Sequence, residues 1–266
     1  MISRIFGDRR RLAVLRRIDR PAAAILAILQ ALVAAAGWFA EPVWLAVAVA
    51  AQLALGGVGA VRVIGPARGD LGLARYATPA TAGIAATLFG RLIPGGLSLL
   101  LVPIVAVVLW SITYLELRAE RGTGGRTLGD LGLTAIVFAG TAGILHHFGP
   151  LAWPTPLVAA GLLALPPSFR AAESRGTMGA EGFGQALLQV LAVVQVGVGA
   201  VLLNVSVLVT AALMALAFYT WTGAVDALRG GASGRSVAVE FGALVLLGLF
   251  VGLLLYHPGG PAGSPR

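Results

Sequence analysis

The chain has no cysteine and no lysine, and charged residues make up only 11% of its 266 positions. Without cysteine there is no disulfide framework, thiolate zinc site, iron–sulfur cluster or thiol nucleophile. The missing lysine leaves 19 arginines as the whole basic complement; beside abundant Ala, Gly, Val and Leu this reads as compositional bias without functional weight. Also absent are a P-loop, a dinucleotide glycine fingerprint and an HExxH pair. There is no GxSxG nucleophile elbow either. Charge at under half the ~25% usual for globular proteins excludes an ordinary soluble domain.

What is present is apolar. Hydrophobic residues make up 58% of the chain, 37 more positions are glycine, and mean hydropathy is +0.91. Apolar runs recur, each about the length that crosses a ~30 Å hydrocarbon layer as a helix. A span in lipid must satisfy its own backbone hydrogen bonds, and no ten-residue alternation of an outer-membrane barrel is visible. The spacing predicts spans at 21–39, 42–61, 77–93, 97–117, 127–147 and 151–165. Residues 182–225 are too many for one crossing and divide near Gly199–Asn204 into a seventh and an eighth; 236–256 is the ninth. The expected fold class is an all-α integral membrane protein of about nine transmembrane helices, N-in and C-out, with a polytopic domain over 21–257. The run 21–39 is too long for a signal-peptide core of ~7–15 residues, so it reads as a span.

A net charge of +8 and a pI near 11.3 suggest nucleic acid in a soluble protein, but the arginine positions fit a membrane instead. Seven arginines precede Pro21, and under the nine-span reading 17 of 19 fall on the cytoplasmic side, with Arg91 and Arg266 the exceptions. No nucleic-acid partner is expected. Residues 1–20 form a basic cytoplasmic segment, with Ile5, Leu12, Leu15 and Ile18 roughly on one helical side as an in-plane helix would have them. The tail 258–266 is Pro/Gly-rich and reads as disordered.

The chain repeats itself. Gly69-Asp70-Leu71-Gly72-Leu73 returns sixty residues later as Gly129-Asp130-Leu131-Gly132-Leu133. Thr81-Ala82-Gly83-Ile84 likewise returns as Thr141-Ala142-Gly143-Ile144. The unit reads as a two-helix hairpin, over about 69–126 and 129–180, which makes the repeats parallel. An acid stands at or near the start of every outward span: Asp19, Asp70, Asp130, Glu181 and Glu240. Capping of helix N-termini is the economical explanation, with the glycine two residues on allowing close packing. The functional alternative is that Asp70, Asp130, Glu181 and Glu240 converge at the cytoplasmic mouth as an ion or proton path.

Asp130, Thr134 and Thr141 make a polar stripe along the fifth span, and Gln185 and Gln189 share a face of the seventh; such stripes face protein rather than lipid. His147 and His257 are the histidine pair with the depth a metal would want, but interfacial histidine is the simpler reading, and neither metal nor cofactor is expected.

Loops this short leave function among the helices or in partners. Three readings follow: a transporter-like protein or membrane subunit of a transport or envelope complex; a non-catalytic assembly or scaffold protein; or an enzyme acting on a lipid or lipid-linked phosphate. In the last, Arg118, Arg126, Arg229 or Arg235 would bind phosphate, and Glu116, Asp130 or Glu240 would handle a metal or proton. The expected surroundings are the bilayer of a cell (plasma) membrane, with membrane-protein partners or a homo-oligomer.

Overall fold

The computed structural model describes residues 21–64, 72, 74–120, 126–149 and 154–254. Asp70, His257, the basic segment 1–20 and the tail 258–266 lie outside the described residues, as do the side chains of Arg118 and Arg126. Among the described residues there is no strand, and nine long helices follow one another: α1 (Pro21–Trp38), α2 (Pro42–Ile64), α3 (Ala74–Gly90), α4 (Val102–Glu120), α5 (Arg126–Phe148), α6 (Thr155–Ser174), α7 (Gly179–Leu202), α8 (Val207–Arg229) and α9 (Gly234–Leu254). One extra helical turn, Leu97–Leu100, precedes α4, so the expected span 97–117 is broken near Leu101. The expected span 151–165 also shifts: α6 runs to Ser174, straight through Pro166 and Pro167.

Proline starts helices here and left-handed residues stop them. Pro42 occupies the first turn of α2, where its missing N–H has no helical acceptor to lose. After α6, α7 and α8 the backbone turns at Gly176 (φ 81°), Asn204 (φ 56°) and Gly231 (φ 86°). Each stop is sealed by a bond from the following N–H back over the last turn: Thr177 to Ala172, Val205 to Ala200, and Ala232 to Ala227. The Asn204 stop lies in the window where the sequence divides 182–225.

Six helices, α1, α2, α5, α7, α8 and α9, are long and apolar enough to cross a membrane. By that measure the chain is an all-α, polytopic membrane protein. The other three fall short of the expected nine crossings for identifiable reasons. α3 has 17 residues, twelve of them buried, so its polar Arg75, Thr78, Thr81 and Thr87 meet protein. α4 ends in Glu116, Arg118 and Glu120, and α6 holds two internal prolines, Arg170 and Glu173. Only helices that face lipid need an apolar surface all along their length.

α5 packs on α3, α6 and α8, while α3 also touches α2, α4 and α6. Phe218, Met214, Val137 and Val193 fill the centre. Glycine sets the closest approaches: a Cβ on Gly56 would lie 2.2 Å from the Ala80 Cα, so α2 and α3 meet backbone to backbone. Large apolar side chains such as Val43, Trp44, Leu202 and Leu246 cover the outside.

Candidate functional site

The charged side chains gather at one end of the bundle. There Ala23 of α1 packs with Ile64 of α2 and Leu117 of α4, and the starts of α3, α5 and α7 meet the ends of α6 and α8. α6 supplies the hub. Just beyond Pro166–Pro167 its last two turns carry Arg170, Glu173 and, at the C-cap, Arg175.

Arg170 grips Glu116 of α4 in a fork: Nε reaches Oε1 at 3.0 Å and Oε2 at 2.8 Å, and Nη2 lies 2.7 Å from Oε2. A planar guanidinium matches a carboxylate in this way, and both side chains are nearly buried. Arg175 reaches further. Its Nη2 donates to Asp130 Oδ2 of α5 at 3.0 Å and to Asp226 Oδ2 of α8 at 2.7 Å, while Nη1 donates to the Ala171 carbonyl. Its side chain is 3% exposed. Arg229 closes the ring from outside, donating to the Arg175 carbonyl and to Gln185 Oε1, which also accepts from Thr177 Oγ1.

Glu173 serves a different purpose. Its Oε1 accepts the Ala74 N–H at 3.3 Å, so a carboxylate from α6 caps the start of α3. Glu173 stands in the last turn of α6, beyond the expected span 151–165; burial raises its carboxyl above the ordinary range, against the pull of that N–H and of Arg170.

The acids were expected to cap their own helices in the first turn; Glu181 holds that place, while Asp130 and Glu240 do not. Asp130 lies in the second turn of α5 and pairs with Arg175; Glu240 lies in the second turn of α9. Glu181 is in the first turn of α7, but its recorded bond is to the Gln185 amide, at 3.5 Å. The network thus brings Asp130, Gln185 and Glu181 together and leaves Glu240 out. Glu240 lines a shallow depression with Ser233, Arg235, Ser236 and Val239, all from the start of its own helix.

The chain matches no family model, no curated protein and no solved structure. Its physical class therefore rests on the six apolar helices, and its candidate site on geometry alone.

The polar stripes resolve into local bonds. Thr134 Oγ1 donates to the Asp130 carbonyl at 2.7 Å, and Thr141 Oγ1 to the Val137 carbonyl, each one turn back in α5. Gln189 does reach a neighbour, donating to Thr222 Oγ1 and the Phe218 carbonyl of α8 at 2.8 and 3.2 Å. At the opposite end of the bundle Arg91 donates to the Gly37 and Ala40 carbonyls at the α1–α2 turn, and His147 Nε2 is buried with no hydrogen-bond partner among the described residues. His146 and His147 rings stand edge to face, and no metal-ligand group forms among the described residues.

The sequence reading missed Arg175 and Asp226 as site residues and named Glu116 only as a metal or proton group of the enzyme reading. A signal was available: Arg170, Glu173 and Arg175 crowd the end of one helix directly after Pro166–Pro167, too many charges for a lipid-facing turn.

Proposed function

We propose that this chain is a transporter-like protein of a cell membrane, or the membrane subunit of a transport complex, with nine crossings, the N-terminus inside, and the Arg175 hub as its cytoplasmic gate. One observation carries the proposal: a guanidinium 3% exposed is held between carboxylates of two different helices, Asp130 and Asp226, at the mouth of the bundle. Buried ion pairs are poor stabilisers compared with apolar packing, so their retention calls for another reason. In membrane proteins, charges inside the bundle commonly line or close a solute or proton pathway. The alternation of helix direction supports the orientation, since the helix ends that flank the arginine-bearing stretches of the sequence after α2, α4, α6 and α8 all lie at the hub end, as does the first turn of α1.

A gate can be tested before its solute is known. In this cysteine-free chain, Thr141→Cys places one thiol at a buried position of α5, eleven residues beyond Asp130. Under the gate reading, an impermeant thiol reagent applied to inside-out vesicles labels it slowly with Arg175 present. In Arg175→Ala labelling becomes about tenfold faster, the factor for ~1.4 kcal/mol of lost closed-state stabilisation. Unchanged labelling in a folded Arg175→Ala protein sinks the gate.

A second reading, a membrane assembly protein, is favoured by α9, in which 11% of the apolar stretch is buried and whose contacts run chiefly to α8. Native mass spectrometry of the protein from its own membranes tests it: a stoichiometric protein partner is what assembly and the subunit form of the first reading require, and its absence removes the assembly reading.

A further inference from the structure

We propose that the junction of α1, α2 and α3, inside the bundle and apart from the charged hub, binds a small monovalent cation through the neutral side-chain oxygens of Gln30 and Gln52. Gln30, Gln52 and Thr87 come from three helices and are each 0% exposed. Gln30 Nε2 donates to the Pro79 carbonyl at 2.9 Å. Gln52 Nε2 donates to the Gln30 carbonyl at 2.8 Å and to Thr87 Oγ1 at 3.1 Å. These donations fix which way both amides face, and they leave Gln30 Oε1 and Gln52 Oε1 buried with no hydrogen-bond partner. An unanswered buried acceptor requires an explanation, and a bound ion or water is the usual one.

The chemistry of the junction favours the ion. A water would offer two hydrogens but bring lone pairs of its own, while three of the four amide N–H donors already have acceptors. A cation asks only for oxygens, as where carbonyls replace a hydration shell in selective pores. No Asp or Glu occurs within α1, α2 or α3, which disfavours a divalent ion and suits a single charge. The backbone is also irregular here. A π-helical turn, Leu55–Gly59, begins three residues after Gln52, and Pro79 interrupts the bonding of α3. Broken helix segments with neutral oxygens are how transporters hold coupling ions at membrane depth. Gly83 makes the room: a Cβ there would lie 2.3 Å from Gln52 Oε1 and 2.9 Å from Gln30 Nε2.

The experiment is thermal unfolding of the purified full chain in sodium, potassium or ammonium chloride, against N-methyl-D-glucamine chloride at equal ionic strength. At least one small cation should raise Tm with saturation, by roughly 5–10 °C at a hundred times its Kd. The rise should vanish in folded Gln52→Leu. Equal Tm in all four salts, or a rise that persists in Gln52→Leu, overturns the site. Should Gln52→Leu not fold, wild-type protein decides: radiolabelled sodium or rubidium retained on immobilised protein and displaced by unlabelled ion supports it, and no retention refutes it.

Discussion

Removing the Arg175 guanidinium takes a cation away from two carboxylates, and their unequal burial ranks the consequences. Asp130 is 15% exposed at its side chain, whereas Asp226 is 32% exposed and shares its charge with water. Arg175→Ala should therefore cost about 3 kcal/mol, as loss of one member of a buried pair does, and Asp226→Asn about 1 kcal/mol or less. Denaturation of the purified protein followed by tryptophan fluorescence gives both numbers; a larger loss in Asp226→Asn than in Arg175→Ala contradicts the ranking. A second residue-scale contrast comes from the repeat. Gly72 and Gly132 occupy equivalent places in the sequence, yet a Cβ on Gly72 would fall 1.6 Å from Glu173 Oε1, while one on Gly132 meets nothing within 4 Å. Gly72→Ala must push Glu173 off the Ala74 N–H, losing about 1 kcal/mol of hydrogen bonding. Gly132→Ala, in the interior of α5, should instead gain roughly 0.5–1 kcal/mol of helix propensity. Equal effects of the two alanines would mean that the repeat is also a packing repeat. Local sequence likeness made these glycines look interchangeable; what separates them is Glu173, a residue a hundred positions away that no local pattern points to.

At the scale of elements, the apolar runs, the prolines that start helices and the Gly or Asn that end them were legible because each acts within a few residues of itself. The hub was not, because its bonds join residues 45, 51 and 54 apart and depend on how helices are rotated against one another. α6 illustrates both halves. Its N-terminal turns read as a span that ends at Leu165, where the structure continues the helix through Pro166–Pro167 into the charged hub. The continuation also buries Glu173 against the start of α3, and this burial has a pH signature. The folded Glu173 carboxyl keeps its proton above the ordinary value of 4.5, so in that window the folded state binds more protons than the unfolded chain. Stability contributed by this group is then present at low pH and is lost as pH rises through the raised pKa. Glu173→Gln retains an acceptor for the Ala74 N–H and removes the titration. The difference in Tm between wild type and Glu173→Gln should shift against the wild type as pH climbs from about 4.5 toward neutrality. A difference that stays constant with pH would mean that Glu173 does not titrate in the folded protein.

At the scale of the whole molecule, the charge pattern and the packing constrain each other. If the ends of α2, α4, α6 and α8 share one face with the starts of α1, α3, α5 and α7, chain direction must reverse at every connection. Residues 230–233 then belong to the hub end and residues 91–101 to the opposite end. α3, α4 and α6 must cross for this to hold in a membrane, although none is apolar enough by itself; on the proposed nine-crossing reading they do so in the company of α5, which packs on α3 and α6. On that reading the positive-inside rule puts the hub face in the cytoplasm. Two single cysteines separate this arrangement from one in which only the six apolar helices cross, and from any in which one of α3, α4 and α6 fails to cross. Gly96→Cys lies on an exposed turn at φ −66°, where a Cβ meets nothing within 4 Å, and Ser233→Cys lies on the exposed α8–α9 turn. In intact cells an impermeant maleimide should label Gly96→Cys and spare Ser233→Cys until the membrane is permeabilised. Labelling of both, or of Ser233→Cys alone, would place α3, α4 or α6 along the membrane surface rather than through it, and would remove the arginine asymmetry as a guide to orientation.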